Sequence, residues 1–240
     1  MPKERKIEAV FFDLDGTLIF LDQNEFLGEY FKRISAYTAG KGYDAKAFLE
    51  ALRVATGIMF ANDGSRDNRS LFWDKFFIYY GRYDESLIKD SDDFYLSDYF
   101  KNLREFAREN ECAKRAVELA HKGGKKVVLA TNPVFPMTAQ LERLSWFGLK
   151  ESDFDLITSY ENSGFCKPSP KYYLEICQKI GVKPENVLMI GNDEREDMKA
   201  ASEAGLMCYL ATDCRIMAKD FIWTGHRGTF EQSLKLLDII

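Results

Sequence analysis

Cysteine is scarce in this chain and does not come in a pairing pattern. Cys112, Cys166, Cys177, Cys208 and Cys214 are odd in number and show no CxxC spacing, which argues against a disulfide framework or a zinc site. Proline and glycine are few, 6 and 16 in 240 residues, so collagenous, linker-rich and low-complexity chains are excluded. No apolar run approaches the roughly 20 residues needed to cross a bilayer. The opening MPKERKIEAVFFDLDG turns acidic before any stretch of signal-peptide length. Positive charge is not in excess either. Thirty-three bases against 38 acids leave a net charge of −5, without the basic footprint of a nucleic-acid binder or a polybasic membrane anchor. Together these absences lead us to expect a soluble cytoplasmic protein with no nucleic-acid or membrane partner.

What is present is a set of short apolar runs, at residues 7–12, 126–130, 156–159, 187–190 and 207–210. Such runs without alternation read as strands covered on both faces, as in a parallel sheet. Helical patterns lie between them, at residues 113–121, 136–147, 170–180 and 194–204, and glycine follows each as a stop signal. The alternation predicts an α/β core with a doubly wound parallel sheet, whose ligand sits beyond the carboxyl ends of the strands. Residues 20–110 break the rhythm. Apolar positions recur there at three and four, as in Phe26, Tyr30 and Ile34, and the stretch holds 20 of the chain's 34 aromatic residues. We therefore divide the chain into a core of residues 1–20 and 111–240 and a helical insertion of residues 21–110.

Four chemistry-bearing segments follow predicted strands. Asp13-Leu14-Asp15-Gly16-Thr17 crowds two carboxylates at a turn, a cost that a cation offsets, and an oxygen-rich site suits Mg²⁺. Thr131-Asn132 presents a hydroxyl and an amide able to donate to an anion. Lys167 stands in the stiff segment Lys167-Pro168-Ser169-Pro170. Gly191-Asn192-Asp193 runs into a helix and puts Asp193 and Asp197 one turn apart. In this order, each at a strand's carboxyl end, the four would converge.

FFDLDGTL, LATN, the lysine of CKPSP and GNDEREDM together resemble the four motifs of the haloacid dehalogenase-like hydrolase superfamily, across nearly the whole chain. The resemblance implies a Rossmann-like core and makes the helical insertion a mobile cap. It implies Asp13 as the nucleophile that becomes an aspartyl-phosphate, and Asp15 as the general acid and base. Mg²⁺ would be held by Asp13, the Asp15 carbonyl and an acid of the fourth motif. Thr131 and the amides of Leu14 and Asn132 would bind the transferring oxygens, with Lys167 adding fixed charge. Members that cleave carbon–halogen bonds lack an acid at the Asp15 position, so a phosphatase or phosphotransferase is expected.

The fourth motif departs from the family pattern, in which an aspartate follows the glycine. Asn192 stands there instead, and we expect Asp193 to be the direct ligand, with Asp197 in support through water. In the cap, Arg66 and Arg69 are candidates to hold a second anionic group, beside Phe72 and Trp73. Phe20 and Leu21 begin the crossover into it. The expected activity is Mg²⁺-dependent hydrolysis of a small phosphorylated metabolite. The rivals are a phosphoglucomutase-like phosphotransferase and a weakly catalytic phospho-aspartate switch protein.

Overall fold

The structure, a computed structural model, describes residues 6–240. Its first strand, β1 (Ala9–Phe12), is apolar throughout and wholly buried. After the Asp13–Thr17 turn comes β2 (Ile19–Leu21), and then five helices: α1 (Gln23–Gly40), α2 (Ala45–Met59), α3 (Asn68–Tyr80), α4 (Glu85–Leu96) and α5 (Asp98–Lys101). The chain returns through β3 (Ala107–Glu109), which pairs antiparallel with β2. The path out of the core and the path back are thus laced into one short ribbon. β3 falls within a stretch whose sequence shows no strand, because three residues carry no period and the partner strand is about 90 positions away.

Four aspartates start the longer helices of this insertion. Asp22, Asp44, Asp67 and Asp84 each accept hydrogen bonds from amides of the first turn of α1, α2, α3 and α4, satisfying donors that a helix start leaves open. The inward faces are aromatic. Phe48, Phe72, Trp73 and Phe76 pack with ring centroids 5.1 to 5.7 Å apart, mostly edge to face.

The remaining elements alternate as far as β7: α6 (Ala113–Lys122), β4 (Lys126–Leu129), α7 (Met137–Ser145), β5 (Leu156–Ile157), α8 (Pro170–Ile180), β6 (Val187–Gly191), α9 (Ala200–Glu203) and β7 (Met207–Ala211), after which come β8 (Arg227–Gly228) and α10 (Phe230–Leu237). Six strands form one parallel sheet in the order β5-β4-β1-β6-β7-β8. The pleat sends Val10, Phe12, Leu129 and Ile190 into one core cluster and Ala9, Phe11, Val128 and Met189 into the other. Both faces are covered, as the unalternating runs require. From β1 the chain builds outward through β4 and β5, then crosses back to β6 on the other side. The strand order therefore reverses at β1, and a crevice opens beyond its carboxyl end.

Candidate active site

Asp13 follows β1 directly, and its amide donates to the Ile190 carbonyl at 3.0 Å, which ties it to the end of β6. Lys167 arrives from the β5–α8 loop. Its ammonium donates to Asp13 Oδ1 at 2.7 Å and to Asp197 Oδ1 at 2.6 Å. Both Lys167 and Asp197 are 1% exposed, so this cation and its two carboxylates form a water-poor ionic cluster. Burial works against the Lys167 charge, but Asp13 and Asp197 outweigh it and hold its proton well above the usual lysine range. Burial pushes the Asp13 carboxyl up, with Asp197 and Asp15 adding to the push and Lys167 opposing it.

Asp197 is aimed by an unusual turn. Residues Glu194–Lys199 wind as a π-helix, and the Asp193 carbonyl accepts from both the Asp197 and Met198 amides, at 3.0 and 3.1 Å. Widened turns of this kind cluster at functional sites. The second Asp197 oxygen accepts from the Asn192 and Asp193 amides, each at 3.0 Å. Gly191 leaves room for it, since a Cβ there would meet that carboxylate at 2.3 Å. Asp197 is consequently an anchor for Lys167, and a supporting role toward a metal would have to share oxygens already engaged.

Asp193 serves as the cap of the same turn, accepting from the Arg195 and Glu196 amides at 2.7 and 2.8 Å. Asn192 faces the first motif instead. Its amide oxygen accepts from the Thr17 hydroxyl at 3.2 Å and its amide nitrogen donates to the Cys214 carbonyl at 2.7 Å. Gly16, at φ +88°, lies so close that a Cβ would fall 2.2 Å from the Asn192 amide nitrogen. Only glycine fits this left-handed, crowded position.

Thr131 and Asn132 follow β4. The Thr131 carbonyl accepts from Thr158 Oγ1 at 2.8 Å and from the Tyr172 hydroxyl at 2.7 Å, which fixes its backbone at the crevice. Asn132 donates to Glu196 Oε2 at 3.0 Å and to the Lys167 carbonyl at 3.4 Å, while its own amide oxygen is buried without a partner among the described residues. Leu14, between the two aspartates, is fully buried, and the Ile19 amide donates to its carbonyl at 3.0 Å. The segments bearing Asp13, Thr131, Lys167 and Asn192 are therefore all joined by direct contacts.

Asp15 has a partner that the sequence reading missed. Arg143, on α7, is fully buried and donates to Asp15 Oδ2 at 2.6 Å. It also donates to Gln140, and its guanidinium lies 4.8 Å from the Phe135 ring centroid. The other Asp15 oxygen is buried without a partner among the described residues. The signal was a charge on the apolar face of a helix, with Gln140 and Arg143 sharing that face with Leu144.

The insertion docks on this machinery. The Asn68 amide donates to the Ser163 carbonyl at 2.8 Å and the Arg69 amide to the Tyr160 carbonyl at 2.7 Å. Asn68 Nδ2 donates to the Pro133 carbonyl at 3.3 Å, one residue past Asn132. Arg66, in the loop before α3, pairs with Asp74 on that helix, leaving its charge directed at the insertion's surface. Among the described residues no group of three His, Cys, Asp or Glu side chains is placed to hold a metal. Among the described residues no helix is long and apolar enough to cross a membrane.

Residues 7–205 match the sequence profile described as haloacid dehalogenase-like hydrolase. The chain is 28% identical over 205 residues to a phosphoglycolate phosphatase of Neisseria gonorrhoeae, covering 84% of this chain and 78% of the relative. It is 27% identical over 209 residues to a phosphorylated carbohydrates phosphatase of Thermotoga maritima, with coverage of 83% and 82%. In fold it is similar to a HAD phosphatase from Thermococcus onnurineus, with a TM-score of 0.59 at 17% identity, over 96% of this chain and 98% of that one. With the parallel sheet, its reversal at β1 and the ordered motifs, this match over most of the chain establishes that the protein belongs to the haloacid dehalogenase-like hydrolase family.

Proposed function

We propose that the chain is a phosphatase that hydrolyses small phosphomonoesters through an aspartyl-phosphate on Asp13 with the help of Mg²⁺. The chain is a phosphoric monoester hydrolase of its family, and its relatives are phosphatases of small phosphorylated compounds. The observation that carries the mechanism is the Lys167 bridge between Asp13 and Asp197 at the mouth of β1. A fixed cation beside a carboxylate nucleophile offsets the repulsion between that carboxylate and an incoming phosphate dianion.

In the first step an Asp13 oxygen attacks phosphorus and the bond to the leaving oxygen breaks, with the Asp15 proton going to that oxygen. In the second, Asp15 takes a proton from water as the water attacks phosphorus. Inorganic phosphate leaves and the Asp13 carboxylate is regenerated. The buried, unpartnered Asp15 oxygen is suited to this transfer, because Arg143 occupies only the other one. The Thr131 hydroxyl, the amides of Leu14 and Asn132, and Lys167 would bind the transferring oxygens.

Of the side chains brought to the Asp13–Thr17 turn, Asp13, Asp15 and Asn192 offer oxygens, which fits Mg²⁺ better than a softer metal. The Asp13 carboxylate, the Asp15 carbonyl and the Asn192 amide oxygen would hold it. The contacts of Asn192 with Gly16 and Thr17 support it over Asp193, whose carboxylate caps a helix. Bound there, Mg²⁺ would supply charge shielding and Lewis-acid polarisation of the phosphoryl group. The helical insertion acts as the lid over this crevice, excluding water when seated.

The experiment is turnover of p-nitrophenyl phosphate with Mg²⁺. Turnover that is abolished by EDTA and restored by Mg²⁺ is expected, and turnover indifferent to chelation removes the metal from the mechanism. Transfer to a sugar hydroxyl instead of water would show as a phosphorylated product rather than free phosphate.

A further inference from the structure

A cavity of about 260 Å³ lies where the insertion meets the core. One wall is Val134, Phe135 and Pro136, the continuation of the Thr131-Asn132 segment. Phe135 has the Arg143 guanidinium against its ring, and Arg143 holds Asp15. The Phe135 ring thus stands between the cavity and the Arg143–Asp15 pair, which includes the group assigned to protonate the leaving oxygen. Its other walls, from α1 to α4, are mostly aromatic and aliphatic.

Few polar atoms face this space, and some are unspent. The Tyr30 and Tyr95 hydroxyls are used on each other at 2.9 Å. Ser91 Oγ and the Trp73 indole nitrogen are buried with no partner among the described residues, and both side chains line the cavity. A buried donor without a partner costs about 1 to 3 kcal/mol, so two in one lining mark a place where a ligand completes the bonding. Asp92, beside Ser91 and half-buried, brings a carboxylate to the same lining, with Asp93 and Glu161 adding negative charge and Arg69 opposing it.

We infer that this cavity receives the leaving group, and that the preferred substrate is the phosphate ester of a flat, largely apolar alcohol with an amine at its far end. The inference rests on the phosphatase reading above and specifies its substrate. A cavity of roughly 150 Å³ holds a benzene ring, so this one takes a substituted ring of about ten non-hydrogen atoms. The ring packs among Phe72, Trp73 and Phe135, an acceptor on it meets Ser91 and Trp73, and the amine meets Asp92. A polyol or carboxylate leaving group would bury hydroxyls or charge against aromatic walls with few partners.

Three esters with primary-alcohol leaving groups test this: benzyl phosphate, 4-(aminomethyl)benzyl phosphate and glycerol 3-phosphate. Benzyl phosphate should exceed glycerol 3-phosphate in kcat/KM by at least about tenfold, the effect of one unpaired buried group. The amine should raise kcat/KM further, and Asp92→Asn should remove that increment while leaving the benzyl preference. Ser91→Leu, which fills the cavity, should erase the benzyl preference. Independently of turnover, 4-(aminomethyl)benzyl alcohol should quench tryptophan fluorescence saturably, and Trp73→Phe should abolish the quench. Equal or faster turnover of glycerol 3-phosphate, with no quench, overturns the pocket assignment and leaves the phosphatase reading standing. Binding of the alcohol with no hydrolysis of any ester overturns the phosphatase reading instead, and with it the substrate assignment.

Discussion

Arg143 Nη1 lies 2.6 Å from Asp15 Oδ2, and the arginine side chain has no exposed surface. A buried guanidinium reaching across 128 positions to the second aspartate of the first motif couples α7 to the proposed proton-transfer group. Removing one partner of such a pair leaves the other charge poorly solvated, a loss of several kcal/mol. Arg143→Met should therefore lower unfolding stability in urea by about 3 kcal/mol. Arg143→Lys should recover part of the stability but not the forked contact to both Asp15 and Gln140, so kcat should stay depressed. Unchanged stability in Arg143→Met would mean that the pair is not formed in solution.

Asp13→Asn preserves the shape of the turn and removes the nucleophilic carboxylate. Hydrolysis of an aryl phosphate should fall by about four orders of magnitude or more, as for nucleophile deletions in other covalent mechanisms. Mass spectrometry of denatured wild-type enzyme quenched during turnover should find a phosphoryl group on Asp13. Substantial activity in the variant rejects the nucleophile assignment.

The fourth motif offers a comparison between neighbours. Asn192→Asp restores a negative charge against the Asp13–Thr17 turn and should lower the Mg²⁺ concentration giving half-maximal rate. Asn192→Ala should raise it by roughly tenfold or more, since loss even of a group behind a ligand costs about that much. Asp193→Ala should act mainly through the lost cap, costing about 1 kcal/mol of stability. A larger Mg²⁺ effect for Asp193 than for Asn192 would move the ligand to Asp193.

The Glu196 carboxyl is pushed up to about 7, chiefly by burial, with Asp197 and Asp193 adding to the push and Lys167 opposing it. A group that holds its proton more tightly when folded contributes stability below its unfolded value of 4.5, and loses it as pH rises through about 7. In EDTA-containing buffer, stability should therefore decline between those limits. Glu196→Gln should flatten the decline, gaining on the order of 2 kcal/mol over wild type at pH 8 and little at pH 4. An identical pH profile in the variant would show that Glu196 is well hydrated.

The parallel sheet was legible before any coordinates because its strands carry their burial in their composition. Runs such as Ala9–Phe12 and Val187–Gly191 are apolar at every position, which only a sheet covered on both faces tolerates. β2 and β3 were not legible, nor was the short β8, since two or three residues pairing with a distant segment leave no periodic trace. The expected helix after Gly191 begins as a π-helical turn for a similar reason. The extra residue is accommodated by bonds to one carbonyl that composition does not encode.

The order of the chemistry-bearing residues along the chain, and the family they indicate, follow from the sequence alone, because local rules of strand, turn and helix suffice to place each at a strand's end. Which of them touch was decided by the tertiary structure. It set Lys167 between Asp13 and Asp197, turned Asn192 toward Gly16 and Thr17, and buried Arg143 under Asp15. Contacts between groups as many as 175 positions apart depend on how the two sides of β1 are packed and on what fills the space between them. Side-chain spacing along the chain carries no information about that packing.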